Sequence, residues 1–148
     1  MSPQATAVSP QTLIDVAKSS VLAYNDKDWD KVRTVTTSDV VYDEVSTGRK
    51  AQGIDQVLPL WQGWARAFPD SKATFHNAFA AGNSVTLELT WKGTHTGPLE
   101  TPSGPVQPTG KTIAIRACMV VELDGERVKE ERHYFDMATL FQQLGLEA

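Results

Sequence analysis

Two long runs of strict alternation constrain this chain more than anything else in it. From Ser84 to Thr96, the residues Val85, Leu87, Leu89, Trp91, Gly93 and His95 share one face, opposite Thr86, Glu88, Thr90 and Lys92. From Lys111 to Leu123 the apolar face is Ile113, Ile115, Ala117, Met119, Val121 and Leu123. A period of two over such lengths is β structure with one side on a core or cavity and the other in water. Between the runs, Gly97 to Gly110 carries four prolines and reads as a loop of restricted backbone at the end of a hairpin. Asp124-Gly125 is a short-hairpin signal leading into a last strand, and Ala81-Gly82-Asn83 joins an earlier strand, Ala73 to Ala80.

The first half of the chain is helical in period. Pro10 to Val35 predicts two helices: Leu13, Val16, Ala17, Ser20, Val21 and Tyr24 stripe the first, and Trp29, Val32 and Val35 line a second that Asp28 caps. Val40 to Val45 reads as a strand turned back by Ser46-Thr47-Gly48. Gly53 to Phe68 reads as a helix whose broad apolar face holds Ile54, Val57, Leu58, Trp61, Trp64, Ala65 and Phe68, with Pro59 in its early part. Helices first, then a long antiparallel meander closed by a terminal helix, is an α+β arrangement. A curved sheet wrapped against helices makes a cone with a mouth for a small molecule.

The closing segment Glu130–Leu146 joins these patterns. It starts as a strand with Val128, Glu130, Arg132 and Tyr134 on one face and Lys129, Glu131, His133 and Phe135 on the other. At Asp136 the period changes to helical, through Met137, Leu140, Phe141 and Leu144 to a stop at Gly145. Alternation aims Asp136 the same way as Arg132 and Tyr134.

At 148 residues, the chain has the size of one domain able to bury a core without disulfide or metal staples. Residues 1–9 read as a flexible leader and 10–148 as a single domain. A net charge of −4 gives no footprint for nucleic acid or an anionic membrane. No apolar stretch approaches the roughly 20 residues of a membrane span, and the N-terminus lacks a secretory pattern, so the expected location is cytoplasmic. The lone Cys118 reads as a small buried hydrophobe. The three histidines are scattered, and no metal constellation, phosphate loop or nucleophile elbow is present.

Trp64-Ala-Arg-Ala-Phe68-Pro69-Asp70, Gly93-Thr-His-Thr-Gly97-Pro98, Pro108-Thr-Gly-Lys111 and Tyr134-Phe-Asp136 before Gln142-Gln-Leu-Gly145 follow one another in order. In this the chain resembles the SnoaL-like polyketide cyclases of the NTF2-like superfamily, from about Leu13 to Leu146. The resemblance implies an NTF2-like cone, a homodimer, a deep apolar pocket and no cofactor. It also implies an intramolecular aldol closure with an aspartate as general acid/base, at the position of Asp136. The family's histidine two residues earlier is Tyr134 here.

Catalytic candidates are therefore Asp136, His95 and Tyr134. Asp136 is either a helix cap, which lowers its pKa, or a proton shuttle in an apolar site, which raises it. His95 is the one histidine expected to face inward, as a second proton carrier; His76 and His133 are expected at the surface or an interface. Candidates for binding substrate are Arg132, Glu44, Trp61, Trp64, Phe68, Trp91 and Met119. Of Asp43 and Glu44, on opposite faces of their strand, Glu44 stands where related ketosteroid isomerases place a base before a helix-opening glycine, here Gly53. The expected reaction is acid/base cyclisation or isomerisation of a hydrophobic, polyketide-like or polycyclic carbonyl compound. The alternatives are a non-catalytic binding domain, and epoxide hydrolysis, for which Arg132 and Asp136 supply two parts of an Asp–Arg–Asp set.

Overall fold

The computed structural model describes residues 8–146, so most of the expected leader, residues 1–7, lies outside the described residues. Val8 packs against the core, and Ser9 caps the first helix by accepting from the Thr12 N–H. That helix, α1 (Pro10–Asn25), has Pro10 in its first turn and buries Leu13, Ala17, Ser20, Val21 and Tyr24. α2 (Trp29–Val35) starts at Asp28, whose carboxylate accepts from the Lys31 N–H. β1 (Thr36–Glu44) and β2 (Arg49–Gln52) form a hairpin, and α3 (Ile54–Ala67) follows Gly53, which at φ 88° adopts a backbone that L side chains resist. β3 (Lys72–Ala81), β4 (Ser84–Thr94), β7 (Thr112–Asp124) and β8 (Arg127–Phe135) are the long strands, and α4 (Met137–Gln143) closes the chain. Within the segment expected to be plain loop, β5 (Leu99–Thr101) and β6 (Gly104–Val106) pair as a small ribbon.

The fold is α+β: a curved six-stranded sheet in the order β2-β1-β8-β7-β4-β3 wraps against the N-terminal helices, with a short helix at the C-terminus. It is not a simple meander. β1 pairs with β8 in parallel, setting Tyr42 beside Glu131 and Glu44 beside His133. A parallel neighbour brought from the far end of the chain leaves no trace in local periodicity.

The second departure is a bulge. β7 and β8 pair Leu123 with Val128 but Glu122 with Glu130, so Lys129 is one residue extra in β8. An extra residue re-aims every side chain beyond it. Val128 and Glu131 both point inward and are fully buried, and His133 follows at 8% exposure. Glu130, Arg132 and Tyr134 turn to the outer face instead. The inward face of the last strand is thus the opposite of the one expected from uninterrupted alternation.

Between the cone and the β5–β6 ribbon, the chain passes very close to the end of α3. A Cβ on Gly97 would lie 1.9 Å from the Arg66 carbonyl oxygen, and the Gly97 N–H bonds Ala67 O at 3.1 Å. Only glycine permits that approach, so the Gly93–Pro98 stretch is a packing device here.

Candidate active site

The inner face of the cone encloses a cavity of about 80 Å³, several times the roughly 10–15 Å³ that one water needs. Its wall is mainly aromatic: Tyr24 from α1, Tyr42 from β1, Trp61 and Trp64 from α3, Trp91 from β4 and Phe135 from β8, with Phe68 beyond the helix end. Met119, Ile113, Ile115, Val21 and Leu140 fill the remainder, and His133 and Ser71 are its other polar residues. Trp61, Trp64, Phe68, Trp91 and Met119, the apolar candidates named above, all border it. Trp61 and Trp64 do so because a spacing of three puts them on one helix face.

The polar groups of this wall fall into two sets: Tyr24 Oη and Ser71 Oγ pair at 2.6 Å, and the others form a chain of hydrogen bonds. Trp91 Nε1 stands 3.1 Å from His133 Nε2, and His133 Nδ1 stands 2.9 Å from Tyr42 Oη. The Tyr42 hydroxyl is 3.0 Å from Glu44 Oε2 and donates to it. An indole N–H can only donate, so Nε2 carries the lone pair. A neutral His133 then bears its proton on Nδ1 and gives it to Tyr42, whose own proton goes to Glu44. Every donor in the chain has an acceptor in this assignment.

Glu44 anchors the chain. It is fully buried, yet Thr47 Oγ1, Arg49 Nε at 2.9 Å, Arg49 Nη2 at 2.8 Å and Trp64 Nε1 at 2.8 Å all reach it besides Tyr42. Burial pushes its carboxyl up, but Thr47, Arg49 and Trp64 together outweigh this and hold it below the usual carboxylate range. It is therefore a paired charge whose lone pairs are used, set behind Tyr42 and Trp64 and not itself on the cavity lining. Burial drives the Tyr42 phenol well above its ordinary value, with the Glu44 charge adding to it, so Tyr42 keeps its proton. Burial also lowers His133 to about 4 against an ordinary 6.5, although the Glu44 charge pulls the other way. The imidazole is neutral at neutral pH, with one basic nitrogen turned to the cavity wall.

The other candidates lie elsewhere. Asp136 is the N-cap of α4: it accepts from the Ala138 N–H at 2.9 Å and from the Thr139 hydroxyl at 2.8 Å, at an exposed position. The Thr139 hydroxyl first, and then backbone N–H groups, hold it below the ordinary carboxylate range. Of its two expected roles, the geometry is that of the cap, because the bulge at Lys129 turned its phase of the strand outward. Tyr134 is 41% exposed on that outer face, and Arg132 pairs there with Glu122 at 3.0 Å and with Glu130. Neither borders the cavity, which also parts the Arg132–Asp136 set from any enclosed water site.

His95 is buried, but beyond the end of β4. Its Nδ1 accepts from the Thr109 N–H at 3.1 Å, and its ring lies 5.2 Å from that of Phe68, so it fastens the Pro/Gly-rich loop onto the core. Burial lowers its pKa. His76 is on the exposed side, beside the Thr90 hydroxyl, and Cys118 is half-buried on the outer face.

His133 and Tyr42 are thus the residues that periodicity missed. One signal in the sequence marks the bulge: Val128 and Phe135, both apolar, are seven apart, an odd separation that a regular strand with one inward face does not accommodate. Among the described residues no three His, Cys, Asp or Glu side chains gather as a metal site would require, and no helix is long and apolar enough to cross a membrane.

The family model of the SnoaL-like polyketide cyclases matches residues 14–144 of the chain. A search among curated proteins finds no match. Among solved structures, a candidate SnoaL-like polyketide cyclase from Jannaschia sp. CCS1 superposes with a TM-score of 0.84 at 16% identity, covering 99% of this chain and 100% of that one. IdmH, a candidate polyketide cyclase from Streptomyces antibioticus, gives 0.76 at 24% identity over 90% and 99% of the two chains. An M. tuberculosis epoxide hydrolase of the LEH-like type gives 0.71 at 21% identity over 91% and 90%. At these identities the structural likeness is one of fold.

Proposed function

Because the chain belongs to the SnoaL-like polyketide cyclase family, we propose that it is a cofactor-independent acid/base enzyme that cyclises or isomerises a hydrophobic carbonyl compound in the aromatic cavity. The observation that carries this reading is the neutral His133 imidazole, held in that cavity by Tyr42 and, through it, by the Glu44 carboxylate. His133 takes the proton-carrying role expected of Asp136, and Tyr42 takes the place of Tyr134 and His95 beside it.

Chemically, Nε2 removes a proton from a carbon next to a carbonyl. The resulting enolate carbon attacks a second carbonyl carbon of the same molecule, forming the C–C bond. The carbonyl π electrons move to its oxygen, and the alkoxide recovers the proton from the imidazolium. A base near 4 is weak and suits an acidic C–H flanked by two carbonyls, as in a polyketide chain. While the imidazolium exists, its Nδ1–H stays on Tyr42 and the Glu44 charge lies one hydroxyl further away, offsetting it. In the free protein the Trp91 N–H occupies Nε2, so a flat substrate stacking on Trp91 must displace that bond before proton transfer. The aromatic walls fold the substrate so that the two carbons meet.

The cytoplasm as location, a homodimer as assembly, a single domain, and a hydrophobic small molecule rather than nucleic acid or a membrane as partner belong to the same proposal.

The test is His133→Gln assayed on linear poly-β-ketone and cyclic β,γ-enone substrates. Loss of roughly 10²–10⁴ in kcat, with substrate still bound, is the expected result. Unchanged turnover would remove His133 from the chemistry. Tight binding with no turnover by the unaltered protein would make this a binding domain instead.

A further inference from the structure

One buried acid has no part in the chain just described. Glu131 is fully buried on the inward face of β8, one pleat from His133. Ser20 of α1 donates its hydroxyl to Oε1 at 2.8 Å, while Oε2 has no hydrogen-bond partner among the described residues. The groups around it belong largely to the cavity wall. Tyr42 is its register neighbour on β1, Val21 follows Ser20 on α1, and Met119 and His133 stand one pleat along β7 and β8. β7 presents only apolar side chains on this face, and Tyr42 and His133 are the titratable groups nearest to it on β1 and β8. Among the described residues no cation neutralises the carboxyl, unlike Glu44 with its Arg49. Burial pushes it up to about 7, with Ser20 pulling the other way.

A neutral carboxyl in this position is a donor lacking an acceptor, and leaving such a group unpaired is costly. Structures tolerate it most readily where a ligand supplies the missing partner. Resting on the cavity reading above, we infer that Glu131 is a ligand-binding acid. Its Oε2–H donates to an oxygen of the ligand at the inner end of the cavity, reached once the flexible Met119 or the Val21 side chain moves aside. The ligand class is then a neutral aromatic or polycyclic compound with an oxygen acceptor at the end that enters first. A carboxylate in that place would repel an enolate, whereas the neutral acid stabilises one.

The carbonyl stretch of the Glu131 carboxyl tests this in the unaltered protein by difference infrared spectroscopy at about pH 6, below the value of about 7 that burial gives it. The probes are 1-tetralone and tetralin, which share a ring system and differ in the oxygen, with quenching of tryptophan fluorescence reporting their binding. The expected result is a high-frequency carboxylic acid band, absent in Glu131→Gln, that moves to lower frequency with tetralone and stays in place with tetralin. Should Glu131→Gln not fold, Ser20→Ala assigns the band, because it removes the Oε1 partner and leaves the acid. A missing acid band, or quenching by tetralone with the band unmoved or moved equally by tetralin, overturns the Glu131 inference alone. Absence of quenching by both probes overturns the cavity reading and the inference with it.

Discussion

His133 Nδ1 and Tyr42 Oη lie 2.9 Å apart although 91 residues separate them in the chain. The parallel pairing of β1 with β8 brings them together, and the bulge at Lys129 turns His133 inward to meet Tyr42. The proton assignment that follows places the basic nitrogen of His133 toward Trp91 and a carboxylate charge behind Tyr42.

Two buried groups give stability opposite pH slopes. Between about 4 and 6.5 the unfolded chain protonates His133 while the native state does not, so stability falls as pH drops through that window. Glu131 is raised from 4.5 to about 7, so the native state holds its proton longer; that contribution is full below 4.5 and is lost as pH rises through 7. At about 1.4 kcal/mol per pKa unit, each is worth up to roughly 3 kcal/mol. Urea titrations across pH should show His133→Gln flattening the acid limb and Glu131→Gln the neutral one. Limbs unchanged by these substitutions would mean that neither group carries its shift.

Asp136→Ala removes the cap of α4 and leaves the cavity alone. A lower melting temperature is expected, with ligand quenching of the cavity tryptophans and turnover both retained. Collapse of kcat without loss of stability would restore Asp136 to the proton-carrying role.

Glu44→Gln leaves the Arg49, Thr47 and Trp64 donors facing an amide that satisfies only some of them. Breaking a buried ion pair from one side costs about 3–5 kcal/mol, and Arg49, which retains some solvent contact, puts this case at the low end. Nitrogen-15 chemical shifts of His133 provide the readout specific to the hydrogen-bond chain. Loss of the Glu44 acceptor frees Tyr42 to donate to His133, so the Nδ1–H tautomer should lose population. An unchanged tautomer would separate Glu44 from the orientation of the imidazole.

Two glycines next to the same helix end should respond in opposite directions. Gly97→Ala drives a Cβ into the Arg66 carbonyl and should cost about 1–3 kcal/mol or more. Gly63→Ala, inside α3 with only an ordinary contact at 3.7 Å to the Arg66 side chain, should gain about 0.5–1 kcal/mol. Denaturant midpoints of the two variants decide it, and a tolerated Gly97→Ala would contradict the close approach.

Much of the architecture was legible residue by residue. Asp28 reads as a cap because a short acceptor precedes an apolar stripe, and it does cap; of the two readings open for Asp136, the cap is the one its geometry matches. The alternation of β4 and β7 gave their inward faces, since both strands pair in register over eleven residue pairs from Ser84–Glu122 to Thr94–Thr112. The tryptophans of α3 and β4 followed from the same two periods. His133 did not, because its phase depends on a residue count broken at Lys129, and polar residues in both phases of Glu130–His133 hide the break.

The sequence by itself determined the helices, the long antiparallel strands, the aromatic wall and the family, because each is written in short-range period, capping chemistry or ordered motifs. Tertiary structure alone decided that β1 lies parallel to β8 and that one extra residue reverses the face of the last strand. Pairing between distant segments and a single-residue slip each leave local composition untouched. Together they exchange an exposed Asp136 for a buried His133 as the group that faces the cavity.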